Sequence, residues 1–206
     1  SVIEGGNPQY CSAGECQDQA LLDNLDAWIG SVKKDTVLVL HQIGSHGPAY
    51  SERYPDAFRR FTPDCRSAEF SECTLEEIVN AYDNTIVYTD HILASVIDRL
   101  AAQQDRLDVS MLYMSDHGES LGEFGLYLHG APYVIAPDVQ THVPFVLWLG
   151  KDSKAAYSGA CLDAETSKPQ SHDNLFHTVL GMMQVKTKVR DPALDLVSNC
   201  RLGASS

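Results

Sequence analysis

The chain has 206 residues, 44% hydrophobic and 21% charged, proportions of a globular protein that can bury roughly 70% of its unfolded surface. Its formal net charge of −13 argues against a broad basic face for DNA or RNA and against a polybasic membrane anchor. No apolar run is long enough to cross a bilayer, since residues 143–149 are interrupted by Pro144.

Residues 1–16 read as loop, with Gly5-Gly6-Asn7-Pro8 and a first close pair of cysteines. Residues 18–32 predict a helix, because Leu21, Leu22, Leu25, Trp28 and Ile29 recur at helical spacing. Residues 36–40 form a short continuous apolar run of the buried-strand kind. A Gly-rich loop, 41–48, follows it. A mixed aromatic stretch over 50–70 carries Arg53, Arg59 and Arg60. Thr74-Leu75-Glu76-Glu77 is a capping-box pattern, with Thr at N-cap and Glu at N3. An apolar stripe through Leu75, Ile78, Val79, Tyr82, Ile86, Leu93, Val96, Ile97 and Leu100 carries the predicted helix to about Gln103.

Residues 109–114 predict a buried strand. Residues 118–141 are rich in Gly and Pro with few signs of regular structure, and 145–149 form a further strand. Residues 151–170 read as a polar surface excursion. Ser171 is placed to cap a helix running to about Met183, and the tail is irregular to Cys200. Helices alternating with short apolar strands predict an α/β sheet with helices on its faces, and ligands gather at the carboxyl ends of such strands.

Six cysteines with no C-x-x-C pair disfavour a zinc ribbon. Loop economy selects the pairs Cys11–Cys16, Cys65–Cys73 and Cys161–Cys200, and three disulfides place the chain in an oxidising compartment such as a periplasm. The abrupt start at Ser1 suits an excised fragment, with an export signal or membrane anchor upstream.

The chemistry concentrates in Asp116-His117-Gly118-Glu119-Ser120, directly after the 109–114 strand. Neighbours on a regular strand point to opposite faces, so Asp116 and His117 meet one ion only where the backbone turns, and Gly118 permits that turn. A carboxylate with an imidazole suits zinc, manganese being the second fit. Read alone, the same residues equally describe a turn-capping Asp beside a solvated His. His46, in Gly44-Ser45-His46-Gly47-Pro48, and His129, in Leu128-His129-Gly130, repeat the His-Gly pattern. Each fits a metal, a phosphate oxygen or a structural role. Glu119 reads as an acid/base, a partner of a ligand, or a solvated carboxylate. His142 enters a predicted strand as a core histidine. Ser120 is the nearest hydroxyl but lacks an evident activating base.

Several longer motifs then fall in one order. His41-Gln42-Ile43-Gly44-Ser45-His46-Gly47-Pro48-Ala49-Tyr50 with Arg53-Tyr54-Pro55 is followed by Ser115-Asp116-His117-Gly118-Glu119-Ser120-Leu121-Gly122-Glu123. Tyr127-Leu128-His129-Gly130-Ala131-Pro132-Tyr133, Ile135-Ala136-Pro137 and Gln140-Thr141-His142-Val143-Pro144 complete the set. Over residues 10–200 the chain resembles the lipid A phosphoethanolamine transferases of polymyxin resistance.

The resemblance implies an alkaline-phosphatase/sulfatase-like α/β sheet flanked by helices, incomplete at its N-terminal side. Residues 1–206 would be the C-terminal portion of one periplasmic catalytic domain at the inner membrane, anchored through an N-terminal domain absent here. It implies zinc held by Asp116 and His117 with a Glu and a nucleophilic Thr from upstream, and a phosphoryl site lined by His46, His129 and Glu119. It implies phosphatidylethanolamine as donor, lipid A as acceptor and no nucleic acid. Without the Thr and Glu this chain is expected to be inactive, to bind zinc weakly and to self-associate through an uncovered sheet edge. The alternatives are a sulfatase or phosphoglycerol transferase of the same superfamily, and a non-catalytic, disulfide-stabilised binding module.

Overall fold

The computed structural model describes residues 9–12 and 15–203. The expected turn at Gly5-Gly6-Asn7-Pro8 lies outside them. The chain divides into two compact units, Ser1–Arg99 with His117–Phe145 and Leu100–Asp116 with Val146–Ser206.

The first unit opens not on a plain loop but on a small hairpin. Strands β1 (Cys11–Ser12) and β2 (Glu15–Cys16) pair antiparallel with Cys11 opposite Cys16, and a disulfide joins those two cysteines. The single helix expected over 18–32 is broken. A 3-10 turn at Asp18–Leu22 ends before Asn24, whose φ of 61° is left-handed, and α1 spans only Leu25–Ser31. Asn tolerates that conformation better than most residues, and no α-helix continues through it.

The strand expected at 36–40 does not form. The segment is in no ladder, and Val37, Leu38 and Val39 are 53%, 41% and 79% exposed. A β-strand is defined by its partner, and among the described residues none pairs with this run.

Helix α2 (Leu75–Ala101) dominates the unit. Its capping box is formed as expected: Thr74 N donates to Glu77 Oε2 at 2.7 Å and Glu77 N to Thr74 Oγ1 at 3.3 Å. The buried face differs from the apolar stripe. Ile78, Ala81, Tyr88 and Ile92 are buried together with Asn84 and Thr85, whereas Leu75 and Ile86 are exposed. Asn84 accepts from Arg60 N at 2.7 Å and Phe61 N at 2.8 Å and donates to Phe61 O at 3.0 Å. A buried amide satisfied in this way pins the 60–61 loop to the helix. The core here gathers Tyr50, Cys65, Ile78 and Ala81, with Leu121 and Leu128 packed against them. Cys65 is bonded to Cys73.

Residues 118–141 hold more structure than their composition suggested. Strands β3 (Ser110–Met114), β4 (Ser120–Leu121) and β5 (Tyr127–Leu128) follow α2, and β4 and β5 form an antiparallel hairpin. Gly122 and Gly125, at φ 128° and 76°, make its turn. A single helical turn, α3 (Asp138–Thr141), follows. His142, expected in a core, is exposed just beyond it, with its N–H donating to Asp138 O at 2.7 Å. The preceding helical turn ends on that bond, so His142 enters no strand.

Both later apolar runs form strands as expected, and β3 pairs with β6 (Phe145–Leu149). The expected surface excursion is mostly exposed and carries two helices, α4 (Lys151–Ala155) and α5 (Gly159–Glu165), the latter capped by Ser158 Oγ accepting from Cys161 N at 3.4 Å. Helix α6 (Asp173–Met182) starts one residue later than Ser171 would set it, with His172 at the cap position. Tyr157, Val197 and Cys200 form the second unit's core with Leu147, Leu149 and Leu162. The Cys161–Cys200 disulfide crosses it. All three pairs chosen by loop economy are present. No helix of the described residues is long and apolar enough to cross a membrane.

Candidate metal centre

Three loops of the first unit bring His46, His117 and His129 together. One ligand nitrogen from each lies within 4.8 Å of the others. The rings of His117 and His129 stack at 3.9 Å between centroids, and His46 meets them edge-on at 5.9 and 4.9 Å.

The His46 loop is held from behind. Buried Asp18 accepts from Ile43 N at 2.8 Å and Gly44 N at 3.0 Å. Burial pushes the Asp18 carboxyl up despite these two bonds. Thr85 Oγ1 donates to the Tyr82 carbonyl at 2.6 Å and accepts from Ser45 Oγ at 2.7 Å, and Arg53 Nε donates to the His46 carbonyl at 2.9 Å. Gly47 has no room for a side chain: a Cβ there would lie 2.5 Å from Leu128 Cδ2 and 3.0 Å from Glu119 Oε2.

His117 is positioned by its neighbour. Gly118 N donates to Gln140 O at 2.9 Å, and a Cβ on Gly118 would fall 1.9 Å from the Val139 carbonyl oxygen. Only a glycine lets these two backbones approach. The β4–β5 register, Ser120 opposite Leu128, carries Glu119 beside His129. Leu128 adopts φ 63°, a conformation disfavoured for a residue with a Cβ by roughly 1–2 kcal/mol. Its side chain is fixed in the core.

Each imidazole is oriented through Nδ1. His46 Nδ1 donates to Gly47 O at 2.7 Å, His117 Nδ1 to Gly118 O at 3.0 Å, and His129 Nδ1 to Glu119 Oε1 at 3.2 Å. A carbonyl oxygen only accepts, so the first two rings carry their proton on Nδ1 and present Nε2 as the basic atom. Glu119 is buried. It also accepts from Gly47 N at 3.1 Å and from the Tyr50 hydroxyl. Burial, then the Glu119 contact, pushes the Tyr50 phenol far above its ordinary value, so it remains a donor.

Three imidazoles with their outer nitrogens engaged match the borderline-soft donor set of zinc. A tetrahedral zinc site needs donor atoms roughly 3.3 Å apart, and the 4.8 Å bound on the cluster leaves a small inward movement to reach it. Of the expected residues, His46, His117, His129 and Glu119 share this one place. Asp116 is exposed, closes the second unit's 100–116 segment and precedes His117 in the chain. Ser120 is fully buried, its Oγ accepting from Gln140 Nε2 at 2.8 Å. Asp18, Tyr50 and Thr85 were not singled out from the sequence as contributors. Nothing in the spacing of Tyr50 or Thr85 marks a polar task.

The sulfatase family profile matches residues 4–185. The chain is 47% identical over 204 residues to the phosphoethanolamine transferase EptA of Salmonella typhimurium, covering 98% of this chain and 37% of that protein. It is 41% identical over 179 residues to the phosphatidylethanolamine transferase Mcr-1 of Escherichia coli, covering 86% of this chain and 32% of that protein. The soluble domain of lipooligosaccharide phosphoethanolamine transferase A from Neisseria meningitidis superposes with a TM-score of 0.91 at 44% identity, over 95% of this chain and 60% of that one. The chain thus spans about a third of the length of the curated relatives it matches.

Proposed function

This chain belongs to the sulfatase family, with its α/β fold, and from that premise we propose that it supplies part of the zinc site of a phosphoethanolamine transferase. The convergence of three Nδ1-anchored imidazoles on one point supports this reading above all else. In it, the chain is the C-terminal portion of a catalytic domain on the periplasmic face of the bacterial inner membrane, and a further domain supplies the membrane anchor. The donor is phosphatidylethanolamine, the acceptor a lipid A phosphate, and the outcome polymyxin resistance.

The reaction is two displacements at phosphorus. A Thr hydroxyl outside this chain attacks the donor phosphorus, forming a Thr O–P bond as the diacylglycerol oxygen leaves and takes up a proton. A lipid A phosphate oxygen then attacks the same phosphorus as the Thr O–P bond breaks, and the Thr oxygen takes up a proton to restore its hydroxyl. Asp116 and His117 would hold one zinc, and His46 and His129 would line the phosphoryl site, where with His117 they could hold a second. A zinc ion bound there supplies Lewis-acid stabilisation of the charge spread over the phosphoryl oxygens. This chain's residues orient the group: His46 and His129 face it, and Glu119 fixes the His129 ring. In a chain of net charge −13, such a local positive centre is what lets an anion approach.

Two experiments test the reading. Mass spectrometry of the intact enzyme after exposure to donor lipid should show a phosphoethanolamine adduct on a Thr, whereas the isolated chain should transfer nothing. Turnover by the isolated chain refutes the second half. Zinc at a hundredfold its dissociation constant should stabilise the chain by about 2.7 kcal/mol, read as a reversible rise in melting temperature, and His129→Ala should lose the effect. Identical melting in zinc and in chelator would refute the metal site. The exposed run at Val37–Val39 supports self-association of the isolated chain, which a strictly monomeric sedimentation profile would contradict.

A further inference from the structure

Tyr50 is among the most buried side chains of the molecule, at 1% exposure, and its ring needs no hydroxyl. It stacks on Phe70 at 5.7 Å and meets Tyr82 edge-on at 5.4 Å. Phenylalanine would satisfy those contacts equally. The hydroxyl instead donates to Glu119 Oε2. The other oxygen of the same carboxylate accepts from two different loops, Gly47 N at 3.1 Å and His129 Nδ1 at 3.2 Å. Gly47 follows His46 directly, so one carboxylate ties together the backbone beside one imidazole and the ring of another.

A carboxylate has one torsion to spare about its last bond. With Oε2 held by Tyr50, Oε1 has a fixed location. Without that hold, Glu119 is left with a buried, unpartnered oxygen, and it turns to satisfy it at the expense of the Oε1 contacts. We propose that Tyr50 is a positioning residue for the imidazole centre: its O–H fixes Glu119, and Glu119 fixes both the tautomer of His129 and the distance between the His46 and His129 loops. The proposal rests on the metal-site reading only for its consequence in zinc affinity. The tautomer is a property of the metal-free chain.

The test compares Tyr50→Phe with Tyr54→Phe. Tyr54 is a buried tyrosine of the same unit that donates to a carboxylate, Asp64 Oδ2 at 2.7 Å, away from the imidazoles. Long-range proton–nitrogen correlation spectra of ring-labelled histidine, recorded at pH 8 without metal, read the tautomers. Zinc titration then reads affinity. In Tyr50→Phe the His129 signal should move from the Nδ1–H towards the Nε2–H tautomer, and zinc affinity should fall about three- to tenfold, below the roughly 10–100-fold typical of a ligand's direct partner. Tyr54→Phe should match wild type in both. Unchanged His129 nitrogen shifts in Tyr50→Phe would overturn the proposal, and so would equal changes in the two variants, which mean general loosening. Wild-type protein offers a check that survives a misfolded variant: the Tyr50 hydroxyl proton should exchange slowly, and free exchange with water would overturn the inference. Failure of zinc to bind wild type, with the tautomer shift still present, would instead count against the metal-site reading alone.

Discussion

Gly118→Ala is a direct probe of how the centre is built. Gly118 is not in the left-handed region, so alanine fits its backbone and the effect is steric. The added carbon would sit 1.9 Å from the Val139 carbonyl oxygen and 3.0 Å from its carbonyl carbon. Nonbonded carbon and oxygen rest at roughly 3.3 Å, so the two backbones must part by more than about 1 Å. Both sides are main chain, with no flexible tip to yield. Overpacking of this kind costs about 1–3 kcal/mol, and losing the Gly118–Gln140 hydrogen bond adds about 1, giving about 2–4 kcal/mol. The displacement also moves the Gly118 carbonyl that accepts from His117 Nδ1, so zinc binding should weaken with stability. Urea unfolding followed by circular dichroism reads the first and zinc titration the second. The control is Gly30→Ala, inside α1 and with nothing within 4 Å, which should stabilise by up to about 1 kcal/mol. If Gly118→Ala matched wild type within about 0.5 kcal/mol and kept its zinc affinity, the close backbone approach would be wrong as drawn.

Two further outcomes follow from the pairings. The disulfides close loops with sequence separations of 5, 8 and 39 residues, so chain entropy ranks their loss at about 2, 2.5 and 4 kcal/mol. Paired Cys→Ser variants in guanidinium should lose stability in that order, and a reversed order would reject the entropic account. Burial alone would raise the Asp64 carboxyl, but hydrogen bonds from Arg59, Tyr54 and Arg66 outweigh it and hold it below the usual range. A depressed folded value stabilises above the unfolded one, and this contribution is lost as pH falls through the folded one. Asp64→Asn should therefore be destabilising at neutral pH, with a penalty that shrinks as the solution is acidified below about pH 4. A penalty that grew on acidification would contradict the assigned ion pairs.

Local chemistry could be read directly along the chain. The capping box at Thr74, the two short cystine loops, the apolar runs 109–114 and 145–149, and the His-Gly turns each depend on residues near one another in sequence or on the run's own composition. Partner-dependent features could not. Residues 36–40 have a strand's composition but no ladder, because pairing belongs to two segments and not to one. Asn24 outweighed a helical stripe that ran through it. On α2 the buried face took in Asn84 and Thr85, since an amide or hydroxyl is cheap to bury once a loop supplies its partners, and the loop is invisible to periodicity.

Sequence by itself determined which groups carry the chemistry here: imidazoles, a carboxylate and the glycines beside them, in motifs specific enough to imply a family. Only tertiary structure decided that His46, His117 and His129, up to 83 residues apart by their numbering (129 − 46), present nitrogens to one another, and that a buried tyrosine stands behind the glutamate that orients one of them. The reason is that side-chain identity is local, whereas the distance between two loops is set by everything packed beneath both.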